Sequence, residues 1–462
     1  MKTPESLPLS KQIYFSLGQL GWSILINIVT FQLLYFYRPP ENADFPYFIT
    51  QAEFLLVLNA ITLLLAGGRL FDAVTDPLIA SYSDRSTHKK GRRIPFMAVA
   101  SIPTAVFCVL MFMPPYHELT TTNLVWLGIM QVLFFFFLTV YLTPYFALIA
   151  ELGHTSEQRL NLATYTAATW ALGLLVSATT PALANVFAGA FDLERIASFQ
   201  VAVAVLAVIG ALLMLLPVFT IEERRYCASE PSSVPLMPAL RHALKDSNFR
   251  FYVIADMTYF CAITLLNTGL IFFTTVLLFP EDRIKGESMP AALGGIMVIG
   301  SALLYPVVNI LARKLGKKMP IVYSFIYYGF LFTYIYFLGS LPFSADLQGF
   351  LLAIAAAVPL AFLGVLPNAV LADIAEHDGR KTGVRQEGLY FAARTLLQKF
   401  GVTAGTLIFA ALTTFGKDPG DDLGIRLTGP LGLILCVIAA AFFLRYDEKK
   451  IQKELKELGE GS

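Results

Sequence analysis

Charged side chains are scarce in this chain: Asp, Glu, Lys and Arg make up 15% of its 462 residues, against 56% hydrophobic ones. An ordinary soluble domain carries about 25% charged residues, so this balance excludes that class and points to a polytopic membrane protein. Cysteine is nearly as rare. Cys108, Cys227, Cys261 and Cys436 stand far apart with no CxxC pair, which removes the usual zinc and dithiol motifs and leaves them as small core residues. The five histidines, His88, His117, His154, His242 and His377, fall in loops and never pair at i and i+4, so a helical metalloenzyme site has no support. Charge of one sign is lacking too. The 34 Lys and Arg nearly balance 33 Asp and Glu, and the basic residues lie in short loops beside apolar runs, which offers no nucleic-acid surface. No small-residue cleavage site follows the first apolar run, which therefore reads as an uncleaved first span.

What the chain has in quantity is apolar sequence, with a mean hydropathy of +0.64. Runs long enough to cross about 30 Å of hydrocarbon, some 20 residues each, fall near 13–37, 54–80, 94–113, 123–150, 161–188, 197–219, 249–279, 291–312, 319–340, 347–372, 388–415 and 428–445. These predict an all-α fold of twelve transmembrane helices. With both termini inside, six Lys and Arg fall in outside loops (Arg38, Arg195, Arg283, Lys285, Lys417 and Arg426) and three deep within spans (Arg69, Arg394 and Lys399); the other 25 of 34 lie inside, Arg250 and Arg445 at the inside ends of their spans among them. That bias sets the orientation, with cytoplasmic termini in a plasma or bacterial inner membrane.

A polar stretch containing Glu222-Glu223-Arg224-Arg225, Pro231, Pro235 and Pro238 divides the spans six and six. The expected parts are an N-terminal bundle at 1–220, a cytoplasmic linker at 221–248, a C-terminal bundle at 249–446 and a cytoplasmic tail at 447–462. Each half repeats the same punctuation between its second and third spans. Asp76-Pro77 precedes Lys89-Lys90-Gly91-Arg92-Arg93-Ile94-Pro95 in the first half, and Tyr305-Pro306 precedes Lys317-Lys318-Met319-Pro320 in the second. Asp76 thus matches Tyr305, and symmetry alone does not account for the acids of span 2.

Those acids stand out. In Arg69-Leu-Phe-Asp72-Ala-Val-Thr-Asp76-Pro77, the three charges fall within roughly 60° of one another at about 100° per residue. One charge at mid-bilayer costs about 2.5 to 3.5 kcal/mol on the insertion scale, so three on one face are a functional signal by default. Lys399 lies about 17 Å along the eleventh span by helical rise. A lysine beside two carboxylates leaves one negative charge to spare, the setting in which a small cation or proton binds. Thr75 and Thr139 offer hydroxyl oxygens suited to a hard cation such as Na⁺. The alternative is a static ion-pair network between spans 2 and 11, with Arg69 on the second acid.

The loop with Asp84, Arg85, Arg92 and Arg93 has two readings as well. It caps helix ends and meets lipid headgroups, or it pairs with the acidic span 10–11 connection through Asp373, Glu376 and Asp378 as an inside gate. Among 13% aromatic residues, Tyr141, Tyr145 and Tyr259 are mid-span polar aromatics that suit a cavity wall.

Taken together, Arg69-x-x-Asp72-Ala-x-x-Asp76-Pro77, Asp84-Arg85…Gly91-Arg92-Arg93-x-Pro95-Phe96, Pro144-Tyr145…Glu151…Arg159 and Ala372-Asp373…Lys381-Thr382-Gly383-x-Arg385-x-Glu387-Gly388…Lys399 resemble the glycoside-pentoside-hexuronide:cation symporters of the major facilitator superfamily, the group of melibiose permease. The resemblance covers nearly the whole chain. It implies two pseudo-symmetric six-helix bundles, alternating access, and uptake driven by Na⁺, Li⁺ or H⁺ with no cofactor. It places the cation at Asp72, Asp76, Thr75 and Thr139, and gives Lys399 the link between cation and solute. The family's sugar clamp departs here: its span 1 acid aligns with Ser23, its span 4 acid with Leu142, its span 4 Trp with Phe146 and its span 5 Arg with Ala167. The expectation is a monomeric cation-coupled symporter for a glycoside, oligosaccharide or related organic solute. A lysolipid or amphiphile symporter and a non-transporting solute sensor are the alternatives; an enzyme is disfavoured because no nucleophile–base constellation occurs in any span.

Overall fold

A computed structural model describes residues 5–54, 58–59, 64, 67–68, 71, 75–76, 78–80, 82–83, 86–89, 91–153, 156–227, 244–382 and 387–460. Nearly all of them are helical, because a backbone in hydrocarbon must close its own hydrogen bonds. Among the described residues ten helices are long and apolar enough to cross a membrane, and a pair bent by 44° makes an eleventh. The expected second span lies mostly outside the described residues. At its start, Glu53–Phe54 (β1) pairs antiparallel with Leu58–Asn59 (β2), a two-residue ladder where continuous helix is expected from 54.

Two compact units divide the chain: Met1–Ser232 with Glu281–Ala291, and Ser233–Pro280 with Ala292–Ser462. In the first, α1 (Leu9–Asn27) passes through a π turn into α2 (Leu33–Tyr37). It is followed by α3 (Ile94–Met111), α4 (Thr121–Leu152), α5 (Ser156–Ala178), α6 (Thr180–Phe191), α7 (Arg195–Thr220) and the short α8 (Glu223–Tyr226). The second holds α9 (Ser247–Phe272), most of α10 (Arg283–Leu315), α11 (Lys318–Tyr336), α12 (Ala345–Thr382), α13 (Glu387–Leu412), α14 (Leu423–Phe443) and α15 (Glu448–Glu460). Glu281–Ala291 departs from the expected 249–446 boundary by clustering with the first unit.

The packing repeats as the punctuation does. α1 packs on α5 and α7, and α3 on α4 and α7; correspondingly α9 packs on α13 and α14, and α11 on α12 and α14. Helix starts follow local chemistry. The Thr120 hydroxyl accepts the Asn123 N–H, and the Asp246 carboxylate accepts those of Asn248 and Phe249, satisfying donors that have no intrahelical partner. The tail is no loose end, since α15 packs against α12.

Candidate functional site

Of the cation-site residues, Arg69 and Asp72 lie outside the described residues, as do Asp84 and Arg85 of the loop. Thr75 is buried with its hydroxyl on the Phe71 carbonyl at 3.1 Å, the usual back-bond of a helical threonine. Asp76 is half-buried. Thr139, on α4, is fully buried.

An aromatic cluster stands on spans 1, 4 and 5 of the first unit. Trp22 on α1 meets the Phe146 ring edge-on at 5.7 Å and the Trp170 ring at 5.1 Å. Phe146 is 47% exposed. Ser23 is buried and donates to the Trp170 carbonyl at 3.0 Å, which ties α1 to α5. Beside it, the buried Trp22 Nε1 and Gln19 Oε1 have no hydrogen-bond partner among the described residues. Buried polar atoms are usually paired, so these two atoms and the half-exposed Phe146 ring make this cluster the candidate for receiving a polar group.

The tyrosines expected at a cavity wall are given other work. Tyr141 and Tyr145 are fully buried, donating to the carbonyls of Met214 and Phe15 at 3.0 Å each, and Tyr145 stacks on Phe15 with ring centroids 4.4 Å apart. They bolt α4 to α7 and α1. Tyr259 is likewise buried against Phe260, Phe325 and Tyr328. A hydroxyl at mid-span is equally suited to a neighbouring carbonyl, and the sequence alone does not tell the two apart.

Of the expected gate charges, Arg92, Arg93, Asp373 and Glu376 pair inside their own units. Arg92 and Arg93 both reach Glu151 Oε1, at 3.1 and 2.9 Å. Above them Glu223, from the expected linker, accepts the backbone N–H groups of Arg92, Arg93 and Ile94 at 2.8 to 3.1 Å and so caps α3. The second unit repeats this arrangement. Glu448 accepts the N–H groups of Lys317 and Lys318 at the start of α11, and Lys317 Nζ lies 2.6 Å from Asp373. Gln452 also donates to Asp373, Glu376 pairs with Arg380 at 2.6 Å, and Asp378 is half-buried. Gly91 and Gly316 have φ of +119° and +78° and face these capping carboxylates, a backbone that glycine adopts without strain.

Sequence reasoning passed over two buried acids. In the first unit Glu287 is fully buried, accepting from Tyr35 at 2.8 Å, from Asn185 at 2.9 Å and from Arg195; Arg195 also lies over the Phe45 ring at 4.3 Å. In the second, Asp256 on α9 is buried and held bidentately by Arg394 of α13, with both contacts at 2.9 Å. A lone acid inside the apolar 249–279 run was the available signal. It has no charged neighbour at helical spacing, and its partner is 138 residues away.

The model of the MFS/sugar transport proteins matches residues 14–445. The chain belongs to this family. An "Uncharacterized symporter sll1374" of Synechocystis sp. is 24% identical over 95% of this chain and 93% of its own length. The inner membrane symporter YicJ of Escherichia coli K12 is 21% identical over 89% of this chain and 84% of its own. Among solved structures, the nucleoside transporter NupG superposes with a TM-score of 0.65 over 95% of this chain at 13% identity, a likeness of fold. The protein is therefore a multi-pass solute symporter of the major facilitator superfamily, and not an enzyme.

Proposed function

We propose that this symporter takes up a glycoside or oligosaccharide together with Na⁺ or H⁺, with both termini in the cytoplasm. The observation behind the solute class is the cluster of Trp22, Phe146 and Trp170 with the unpartnered Trp22 Nε1 and Gln19 Oε1. Sugars present an apolar C–H face and a rim of hydroxyls. An indole platform takes the first, and an indole N–H with an amide carbonyl takes the second. This recognition needs no acid at Ser23 or Leu142 and no cation at Ala167, consistent with the missing clamp.

The cation side rests on the resemblance at Asp72, Thr75, Asp76 and Thr139, with Lys399 linking cation to solute. Carboxylate and hydroxyl oxygens suit a hard monovalent ion, and a carboxylate pair also suits a proton. The aromatic surface equally favours a second solute class, an amphiphile such as a lysophospholipid. Uptake into proteoliposomes under imposed Na⁺ or H⁺ gradients, with a panel of glycosides, oligosaccharides and lysophospholipids, tests both. Gradient-driven accumulation of a glycoside is expected. Accumulation of lysolipid alone replaces the solute class, and solute binding without counterflow makes the protein a sensor.

A further inference from the structure

The α9–α13 pair has two kinds of contact. Toward the middle of α13 lie Gly401 and Gly405, four apart. A Cβ on Gly401 would sit 2.3 Å from the Met257 carbonyl oxygen, and one on Gly405 2.5 Å from that of Cys261, so the two backbones touch as small-residue seams in membranes do. Such a seam sets the distance between helices. The side chains of Phe260 and Thr264 border it, 3.2 and 2.8 Å from those Cβ positions, so it selects the facing sides of the two helices by van der Waals contact, which is not directional.

Asp256 supplies what the seam lacks. Its Oδ1 accepts Arg394 Nη2, and its Oδ2 accepts both Arg394 Nε and Gln398 Nε2, all at 2.9 Å. Arg394 and Gln398 are i and i+4 on α13, so one carboxylate grips a full turn of that face. The planar guanidinium fork is directional, and Arg394 Nη1 donates further to Asn368 Oδ1 on α12. Three helices are thereby referred to one acid. Lys399 follows Gln398 by one residue, about 100° round the helix, so the turn that Asp256 holds also carries the backbone of Lys399.

We infer that Asp256 is a positioning residue for symport: through Arg394 and Gln398 it fixes the rotation of α13 and hence where Lys399 stands. The inference rests on the coupling role proposed for Lys399. A bare brace between α9 and α13 would use the same contacts, so the test needs a readout that bracing alone does not move.

Asp256→Asn by itself strands a buried guanidinium and risks misfolding. The informative variant is Asp256→Leu with Arg394→Met, which removes both charges and keeps bulk. In full-length protein in proteoliposomes, single Cys residues placed in turn at 395, 396, 397, 400, 402 and 403, sparing Gln398, Lys399 and Gly401, are labelled with a water-soluble thiol reagent, the four buried native cysteines being replaced. With Asp256 present, labelling peaks on one face of α13. In the double variant the peak is expected to move by at least one position, and the half-saturating concentration of the coupling cation to rise about tenfold or more, as when a group that orients a ligand's neighbour is lost. Asp256→Glu should restore most of both. An unmoved labelling peak with unchanged cation affinity, alongside lower thermal stability, overturns the inference and leaves a brace. Wild-type uptake that responds to no cation overturns the coupling role of Lys399 instead, while the labelling pattern still reports whether Asp256 sets the rotation of α13.

Discussion

Glu223 accepts three backbone N–H groups at the start of α3, and Glu448 accepts two at the start of α11. Loss of a helix cap costs about 0.5–2 kcal/mol, so Glu223→Ala should lower the melting temperature in detergent, and Glu448→Ala should lower it less. Scanning fluorimetry checks the order. Gly91→Ala should match or exceed the first, because its φ of +119° disfavours a side chain and a Cβ there would lie 2.2 Å from Glu223 Oε2. At the aromatic cluster, Trp22→Phe keeps a ring but removes the orphan Nε1. Weaker solute binding by about fivefold to tenfold, the worth of one hydrogen bond of about 1 kcal/mol, is expected in a binding titration, with the melting temperature little changed.

At the scale of helices, small residues decide how closely elements approach. Gly401→Leu has to push α13 away from the Met257 carbonyl, whereas a Cβ on Gly364 of α12 meets nothing within 4 Å among the described residues. The first should lower folded yield and thermal stability markedly and the second should not, as size-exclusion recovery after heating will show. At the ends of α11, α12 and α15, Asp373 joins Lys317 to Gln452. Asp373→Asn should therefore speed hydrogen exchange in α15 and at the start of α11. Unchanged exchange there would mean that the pair is solvated and idle.

For the whole symporter the decisive prediction concerns Asp72 and Asp76. Replacing either by Asn should abolish cation-driven accumulation of solute while leaving solute exchange partly intact, since exchange requires no net cation movement. Accumulation and counterflow measured on the same proteoliposomes separate the two. If both single variants still concentrate solute, the cation binds elsewhere. Lys399→Met should likewise weaken coupling more than binding.

The sequence determined by itself what depends on chain-local chemistry. Apolar runs of about 20 residues must be helices in a bilayer. The repeated Gly-basic-Pro punctuation falls at equivalent places in two halves whose helices pack in the same order, and the motif set from Arg69 to Lys399 led to the family. Only the tertiary structure decided which polar groups meet. Asp256 and Arg394 are 138 residues apart, Tyr35 and Glu287 252 apart, and no helical or strand periodicity links positions so distant. The same holds for Tyr141 and Tyr145, whose hydroxyls end on backbone carbonyls of other helices, and for Glu223, which leaves an apparent linker to cap α3. A buried polar group takes whatever partner the packing brings to it, and that choice is made between helices, where sequence spacing carries no record of it.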